Sequence, residues 1–207
     1  MGVSDLGAPI LAASDEAALD EAVAVLGSGG TVVLPTDTVY GLAALPSVEG
    51  ATQALFDLKG RSGDHPLAVL VADLDQALEL VAFDEPSVGR WMAELWPGPL
   101  TIVLRRSAVA AGLALGGGPD TIGVRCPDHP FVRALAAEVG SIATTSANRT
   151  GEPTPVTAGA AASSLVAAVD LVVDGGPAGT VASTVVDASS ERWTILREGA
   201  ITSDQLG

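Results

Sequence analysis

Short apolar runs alternate with amphipathic stretches along most of the chain. Asp15 to Leu26 predicts a helix, with Ser14 as its cap and Gly29-Gly30 as its stop. Thr31-Val32-Val33-Leu34 is a β-branched run halted by Pro35, hence a strand. A helix follows over Glu49 to Leu58, then a buried strand over Leu67 to Val71. Asp73 to Val81 and Asp84 to Leu95 predict two helices. Trp96-Pro97-Gly98-Pro99 makes a rigid break before a strand over Leu100 to Arg105. A strand at Ile122 to Arg125, a helix at Phe131 to Val139 and a strand at Ser141 to Thr145 come next. A helix over Thr157 to Val166 precedes strands at Leu171 to Val173, Ser183 to Val186 and Trp193 to Leu196. Interleaved elements with a strand-rich last third predict an α/β fold, a mixed sheet with flanking helices. No internal repeat or low-complexity linker divides the chain, and 207 residues allow one sizeable core. A single domain over 1–207 is expected.

Composition narrows the function classes. No run of 18 apolar residues lacks a charge or a breaker, so no membrane span is expected. Met1 to Ile10 has neither a basic start nor an apolar stretch, so no signal peptide is expected and a cytoplasmic location is the default. Cys126 is the sole cysteine, and His65 and His129 are the only histidines. An intramolecular disulfide and a cysteine zinc cluster are therefore excluded, and a metal held by protein side chains is not expected. The net charge of -15 argues against gripping nucleic acid by broad phosphate neutralisation. Lys59 is the only lysine among ten cationic residues. Lysine supplies a compact point charge that arginine copies poorly, so position 59 reads either as a required ammonium or as one solvated surface residue.

Four polar segments follow apolar strands, where ligand sites of open α/β sheets gather. Pro35-Thr36-Asp37-Thr38-Val39-Tyr40-Gly41-Leu42 reads as a ligand loop or as a capping turn. In Lys59-Gly60-Arg61, two cations one residue apart face a polyphosphate in one reading; in the other they favour a helix C-terminus capped by Gly60. No GxxxxGK[ST] loop exists. Arg125 closes an apolar strand and needs an anion, either a ligand carboxylate or an internal partner. Cys126 reads as a small core residue and His129, between prolines, as a turn or cap residue. Thr144-Thr145-Ser146-Ala147-Asn148 lines a pocket in one reading and forms a polar turn in the other. Gly116-Gly117-Gly118 and the stretch from Gly175 to Gly179 are candidate lid hinges or ordinary turns.

Lys59-x-Arg61 and Ser146-x-Asn148 occur in order with the Pro35–Leu42 segment, Trp96-Pro97-Gly98-Pro99-Leu100-Thr101, Arg125-x-Pro127-x-His129-Pro130, Ser183-Thr184-Val185-Val186-Asp187 and Arg197-x-Gly199. With these seven motifs, spread over about residues 15–200, the chain resembles the threonylcarbamoyl-AMP synthase family, also called YrdC-like. The resemblance implies a twisted mixed sheet around a concave, positively charged pocket. It implies formation of threonylcarbamoyl-AMP and pyrophosphate from L-threonine, bicarbonate and ATP, for tRNA threonylcarbamoyladenosine. Mg²⁺ would arrive on ATP, and the product would pass to a tRNA threonylcarbamoyl transferase. Lys59, Arg61, Ser146 and Asn148 would be catalytic. Thr38, Arg125, Thr145 and Ser183 would hold threonine. Lys59, Arg61, His65, Thr121, Ala147, Asn148, Pro155 and Arg197 would meet ATP. The sequence departs from the family pattern at Arg61-Ser62, at His65-Pro66 and at Leu70, where many members carry histidine. The extra C-terminal domain of longer relatives is expected to be absent. A module binding double-stranded RNA or the ribosome is the alternative reading, and a carbamoyl-transfer domain of the hydrogenase-maturation type a third.

Overall fold

A computed structural model describes residues 2–5, 7–60, 65–83 and 85–207. The chain begins with β1 (Gly2–Val3), β2 (Pro9–Ala12), α1 (Glu16–Gly27), β3 (Val32–Leu34), β4 (Gly41–Ala44) and α2 (Ala51–Lys59). It continues through β5 (Ala68–Leu70), α3 (Leu74–Leu80), β6 (Val81–Ala82), α4 (Pro86–Leu95), β7 (Leu100–Arg106) and β8 (Thr121–Arg125). It ends with α5 (Pro130–Val139), β9 (Ile142–Ser146), α6 (Ala158–Ser163), β10 (Leu171–Asp174), β11 (Thr184–Asp187), β12 (Thr194–Arg197) and α7 (Ser203–Leu206). Among the described residues the strands form one sheet in the order β1-β2-β10-β3-β4-β9-β5-β8-β7-β11-β12, with β6 joined to β7. Parallel pairs (β2–β10, β10–β3, β5–β8 and β7–β11) are interspersed with antiparallel ones such as β4–β9 and β9–β5. This is the expected mixed α/β architecture. No described helix is long and apolar enough to cross a membrane.

Strand alternation assigns each residue to a face. Val33, Leu42, Ala44, Val69, Ile102, Leu104, Val124, Ala143, Val172 and Val186 share one buried cluster with residues of α2, α3, α4 and α6. The intervening Val32, Leu34, Ala43, Leu70, Ile142, Leu171 and Val173 join the other cluster, under Ala18, Ala22 and Leu26 of α1 and Val132, Leu135 and Ala136 of α5. Helices α1 and α5 cover only part of that second face. Where they stop, the same register continues with Gly41, Ala68, Thr101, Gly123, Thr144 and Ser146. Small and hydroxyl side chains replace leucine and valine, and the uncovered stretch becomes the floor of a hollow. Gly41 is required there by space: a Cβ on it would lie 2.9 Å from Thr144 Oγ1.

Several elements depart from the expectation. β4 overlaps the end of the Pro35–Leu42 segment read as a loop and was not expected, because Gly41-Leu42-Ala43-Ala44 carries no β-branched residue. Its strand character comes from pairing on both sides, with β3 and β9. β2 begins at Pro9 near the sheet edge, where a missing N–H is tolerated. The helix expected over 73–81 ends at Leu80, and Val81-Ala82 pairs with β7. Asp15, not Ser14, stands at the N-cap of α1, and its carboxylate turns back to accept from the Ala12 amide. Helix α6 is shorter than the stretch 157–166.

Leu135 is fully buried where α5 meets the sheet. Leu135→Ala is expected to lower stability by about 2–5 kcal/mol in urea unfolding, because the rigid strands beneath cannot collapse into the void. A loss below about 1 kcal/mol would show that α5 is not fixed against the sheet as described.

Candidate active site

The hollow encloses about 370 Å³. Its lining includes Arg106, Arg125, Arg197 and His65 together with the hydroxyls of Thr36, Thr38, Thr101, Thr121, Thr144, Thr145, Ser146 and Ser183. Among the described residues no aspartate or glutamate lines it. In a chain with 25 acidic and 10 cationic residues, the described lining is sorted against the overall charge.

One end of the hollow is built around Arg125, which is 6% exposed at the end of β8. Its Nε donates to Gly98 O at 3.0 Å, Nη1 to Thr38 Oγ1 at 2.9 Å and Nη2 to Asp37 Oδ1 at 2.5 Å. The internal ion pair, one of the two open readings of this residue, is therefore present. Three donors are engaged in these bonds, and a guanidinium has five. The turn supplying Asp37 and Thr38 is held by Thr36, whose hydroxyl donates to Val39 O and accepts from the amides of Thr38 and Val39. Beside it, Ser183 Oγ lies 2.9 Å from Thr101 Oγ1 and accepts from Arg197 Nη2 at 3.0 Å. Burial first, and then the charge of Arg125, push the Arg197 pKa below the usual arginine range. Two guanidiniums thus repel each other across the hydroxyls, with Asp37 compensating only one. A ligand carboxylate placed there relieves that repulsion.

Lys59 ends α2 and is 4% exposed. Its ammonium donates to the backbone carbonyls of Ser146 and Asn148, with Ser146 Oγ and Asn148 Oδ1 both at 3.4 Å. It therefore ties the loop after β9 from behind, and Ser146 stands between it and the hollow. Ser146 Oγ donates to Asn148 Oδ1, while Asn148 Nδ2 donates to Arg149 O and Glu152 O. Gly60 caps α2 in the left-handed conformation, so the helix-terminus reading of Lys59-Gly60 holds as well.

Thr38, His65, Thr121, Arg125, Thr145, Ser146, Ser183 and Arg197 all line the hollow. Lys59, Ala147, Asn148 and Pro155 do not; the first three lie behind it, and Ala147 is fully buried with its amide bonded to Tyr40 O. Arg61 lies outside the described residues. Thr36 and Thr144, from two of the segments read as candidate ligand loops, also line the hollow, as do Thr101 and Arg106, to which sequence reasoning gave no role. A threonine alternating with Ile102 and Leu104 in β7 was the available signal for Thr101. Leu70 lines the hollow too, at the seam with the α5 side. Cys126 is buried, and burial pushes its thiol pKa up, as suits a core residue. His129 stands at the N-cap of α5 without capping it, and burial lowers its imidazole pKa. Gly175 and Gly179 serve close packing: a Cβ on Gly175 would lie 2.6 Å from Pro35, and one on Gly179 2.8 Å from Thr38 O.

The described residues thus form an open mixed sheet whose uncovered face carries an arginine-lined hollow. The family model described as Sua5_yciO_yrdC, Telomere recombination, matches residues 24–199. A threonylcarbamoyl-AMP synthase of Bacillus subtilis is 37% identical over 188 residues, covering 90% of this chain and 54% of that protein. One of Mus musculus is 37% identical over 206 residues, covering 92% of this chain and 72% of the relative. The crystal structure of P. abyssi Sua5 complexed with L-threonine superposes with a TM-score of 0.81 at 33% identity, covering 91% of this chain and 56% of that one. The chain belongs to the Sua5/YciO/YrdC family. It spans about half the length of the bacterial and archaeal relatives just named.

Tyr40, the only tyrosine, offers a titration test. Its hydroxyl donates to Gly176 O and Asp174 Oδ1 and accepts from the Gly175 amide, pinning the segment that runs on to Ser183. Burial, reinforced by Asp174, pushes its pKa up to about 12. Unfolded, the phenol ionises near pH 10, at about its reference pKa. From there to about 12 the unfolded chain binds fewer protons, so stability falls as pH rises, by up to about 3 kcal/mol. Tyrosinate absorbance is expected to stay low in the folded protein at about pH 11 and to rise with unfolding. Absorbance developing near pH 10 without unfolding would contradict the burial of this hydroxyl.

Proposed function

We propose that this chain is a threonylcarbamoyl-AMP synthase, which joins L-threonine, bicarbonate and ATP into threonylcarbamoyl-AMP and pyrophosphate for tRNA threonylcarbamoyladenosine. The observation that carries the reading is the pair Arg125 and Arg197 facing the Thr38, Thr101 and Ser183 hydroxyls in a hollow lined by no described carboxylate. An amino-acid carboxylate suits the spare donors of Arg125, and a side-chain hydroxyl suits the Thr38, Thr101 and Ser183 cluster. The relatives named as synthases, and the relative crystallised with L-threonine, support the same assignment.

The amine of threonine would combine with bicarbonate, losing water, to give a carbamate. A carbamate oxygen would then form a bond to the α-phosphorus as the α–β bridging bond breaks, and pyrophosphate would leave with that bond's electron pair. Both partners are anions, so charge compensation and alignment dominate the barrier. Arg125 and Arg197 would hold the carboxylate end. Ser146 would contact the reacting anions, with the Lys59 ammonium 3.4 Å behind its hydroxyl. The wall offers hydroxyls and cations, and no group of three candidate metal ligands exists among the described residues. In this reading magnesium would travel on the nucleotide phosphates, where it would supply further charge compensation. Action in the cytoplasm and transfer of the mixed anhydride to a tRNA threonylcarbamoyl transferase belong to the same reading.

Pyrophosphate release is expected to require threonine, bicarbonate and ATP together. Arg125→Ala should lower kcat/KM for threonine about 100-fold or more, a loss of about 3 kcal/mol. Calorimetric threonine binding should weaken in parallel, with circular dichroism verifying the fold. A folded variant with near-normal turnover at limiting threonine would overturn the assignment.

A further inference from the structure

The proposed reaction leaves one cation of the hollow without a role. Arg106 ends β7 and lines the cavity at its far end from Arg125, beside Thr121. By strand alternation it belongs with Ile102 and Leu104 on the opposite face. Carbonyl acceptors redirect it. Nε donates to Thr121 O at 2.9 Å, and Nη1 donates to Leu113 O at 2.7 Å with Ala110 O at 3.4 Å. These bonds also fasten the segment between β7 and β8, whose Leu115 O accepts from the Leu67 amide and forms part of the cavity wall. Nη2 has no acceptor among the described residues. Burial lowers the Arg106 pKa while Asp120, the nearby acid, raises it; an anion bound at Nη2 would favour the charged form further.

Four residue steps along β8 separate Arg125 from Thr121, a span of about 13 Å at the usual strand rise. In an in-line displacement the leaving group departs on the side away from the nucleophile. With the amino-acid carboxylate fixed at Arg125, the leaving pyrophosphate is directed toward Arg106. We propose that Arg106 binds the β- and γ-phosphates of the nucleotide and steadies the departing pyrophosphate, while its carbonyl bonds hold the adjoining wall segment in place. This rests on reading the cavity as a nucleotide site.

The test uses inorganic pyrophosphate as competitor and Arg106→Gln and Arg106→Lys as variants of the full chain. Arg106→Gln is expected to raise KM for ATP and the inhibition constant for pyrophosphate about tenfold or more, with threonine affinity unchanged. Arg106→Lys should recover part of both, since charge persists although the fork is lost. Both variants should melt earlier, because the carbonyl bonds go in each. Unchanged pyrophosphate inhibition in both variants would overturn the proposal. So would equal losses in both accompanied by loss of threonine binding, which would mark Arg106 as a strut alone. A wild-type chain that binds threonine but neither ATP nor pyrophosphate would instead sink the nucleotide reading itself, and the control shows this before any variant is made.

Discussion

The structure of the site depends on a buried guanidinium. Arg125 cannot enter the protein interior unless its charge and N–H groups are satisfied. Asp37, Thr38 and Gly98 meet that demand from two separate segments, the turn after β3 and the break before β7. One side chain therefore fixes the relative placement of both segments and of β8. Removing one partner of such a pair costs about 3–5 kcal/mol, since a lone charge stays buried. Full neutralisation would leave nothing to attract a ligand. Arg197 restores the imbalance, because it adds a second positive charge with Ser183 as its hydrogen-bond partner.

The hollow exists by omission. Along a single face of a single sheet, leucines and valines under α1 and α5 give way to glycine, alanine and hydroxyl residues. No described helix covers that stretch. The opposite face of the same strands stays apolar and packed on α2, α3, α4 and α6. The floor is therefore backed by packed core, and Thr101, Thr121, Arg125, Thr144, Thr145 and Ser146 are carried by strands, whereas Thr38 sits on the hydrogen-bonded turn after β3. Preorganised dipoles of this kind need no rearrangement when substrate charge develops.

Much of this was legible in the sequence. The long helices and strands showed by periodicity, with ends displaced by one or two residues, because hydrogen-bond pairing sets strand ends more finely than residue type does. β4 was hidden, since Gly41-Leu42-Ala43-Ala44 owes its strand form to two neighbours remote in sequence. Arg125 announced itself as a charge closing an apolar strand. Thr101 did not, because an isolated threonine in a strand suits either face until the register is known. Arg106 was hidden for a different reason. Its strand position assigns it to the wrong face, and carbonyls of the connection to β8 and of the start of β8 turn it round.

The single lysine shows how far residue type alone can carry an inference. At position 59 the side chain meets two backbone carbonyls and two further oxygens converging on one point. A tetrahedral ammonium with three donors fits such a cage, whereas a planar fork would spread its donors beyond it. At position 125 the demands are reversed. The acceptors Gly98 O, Thr38 Oγ1 and Asp37 Oδ1 take one bond from each guanidinium nitrogen, which a point charge could not span. The two cations are therefore not interchangeable. An ammonium shapes the loop behind Ser146, and the guanidiniums supply the spread of donors that face the hollow.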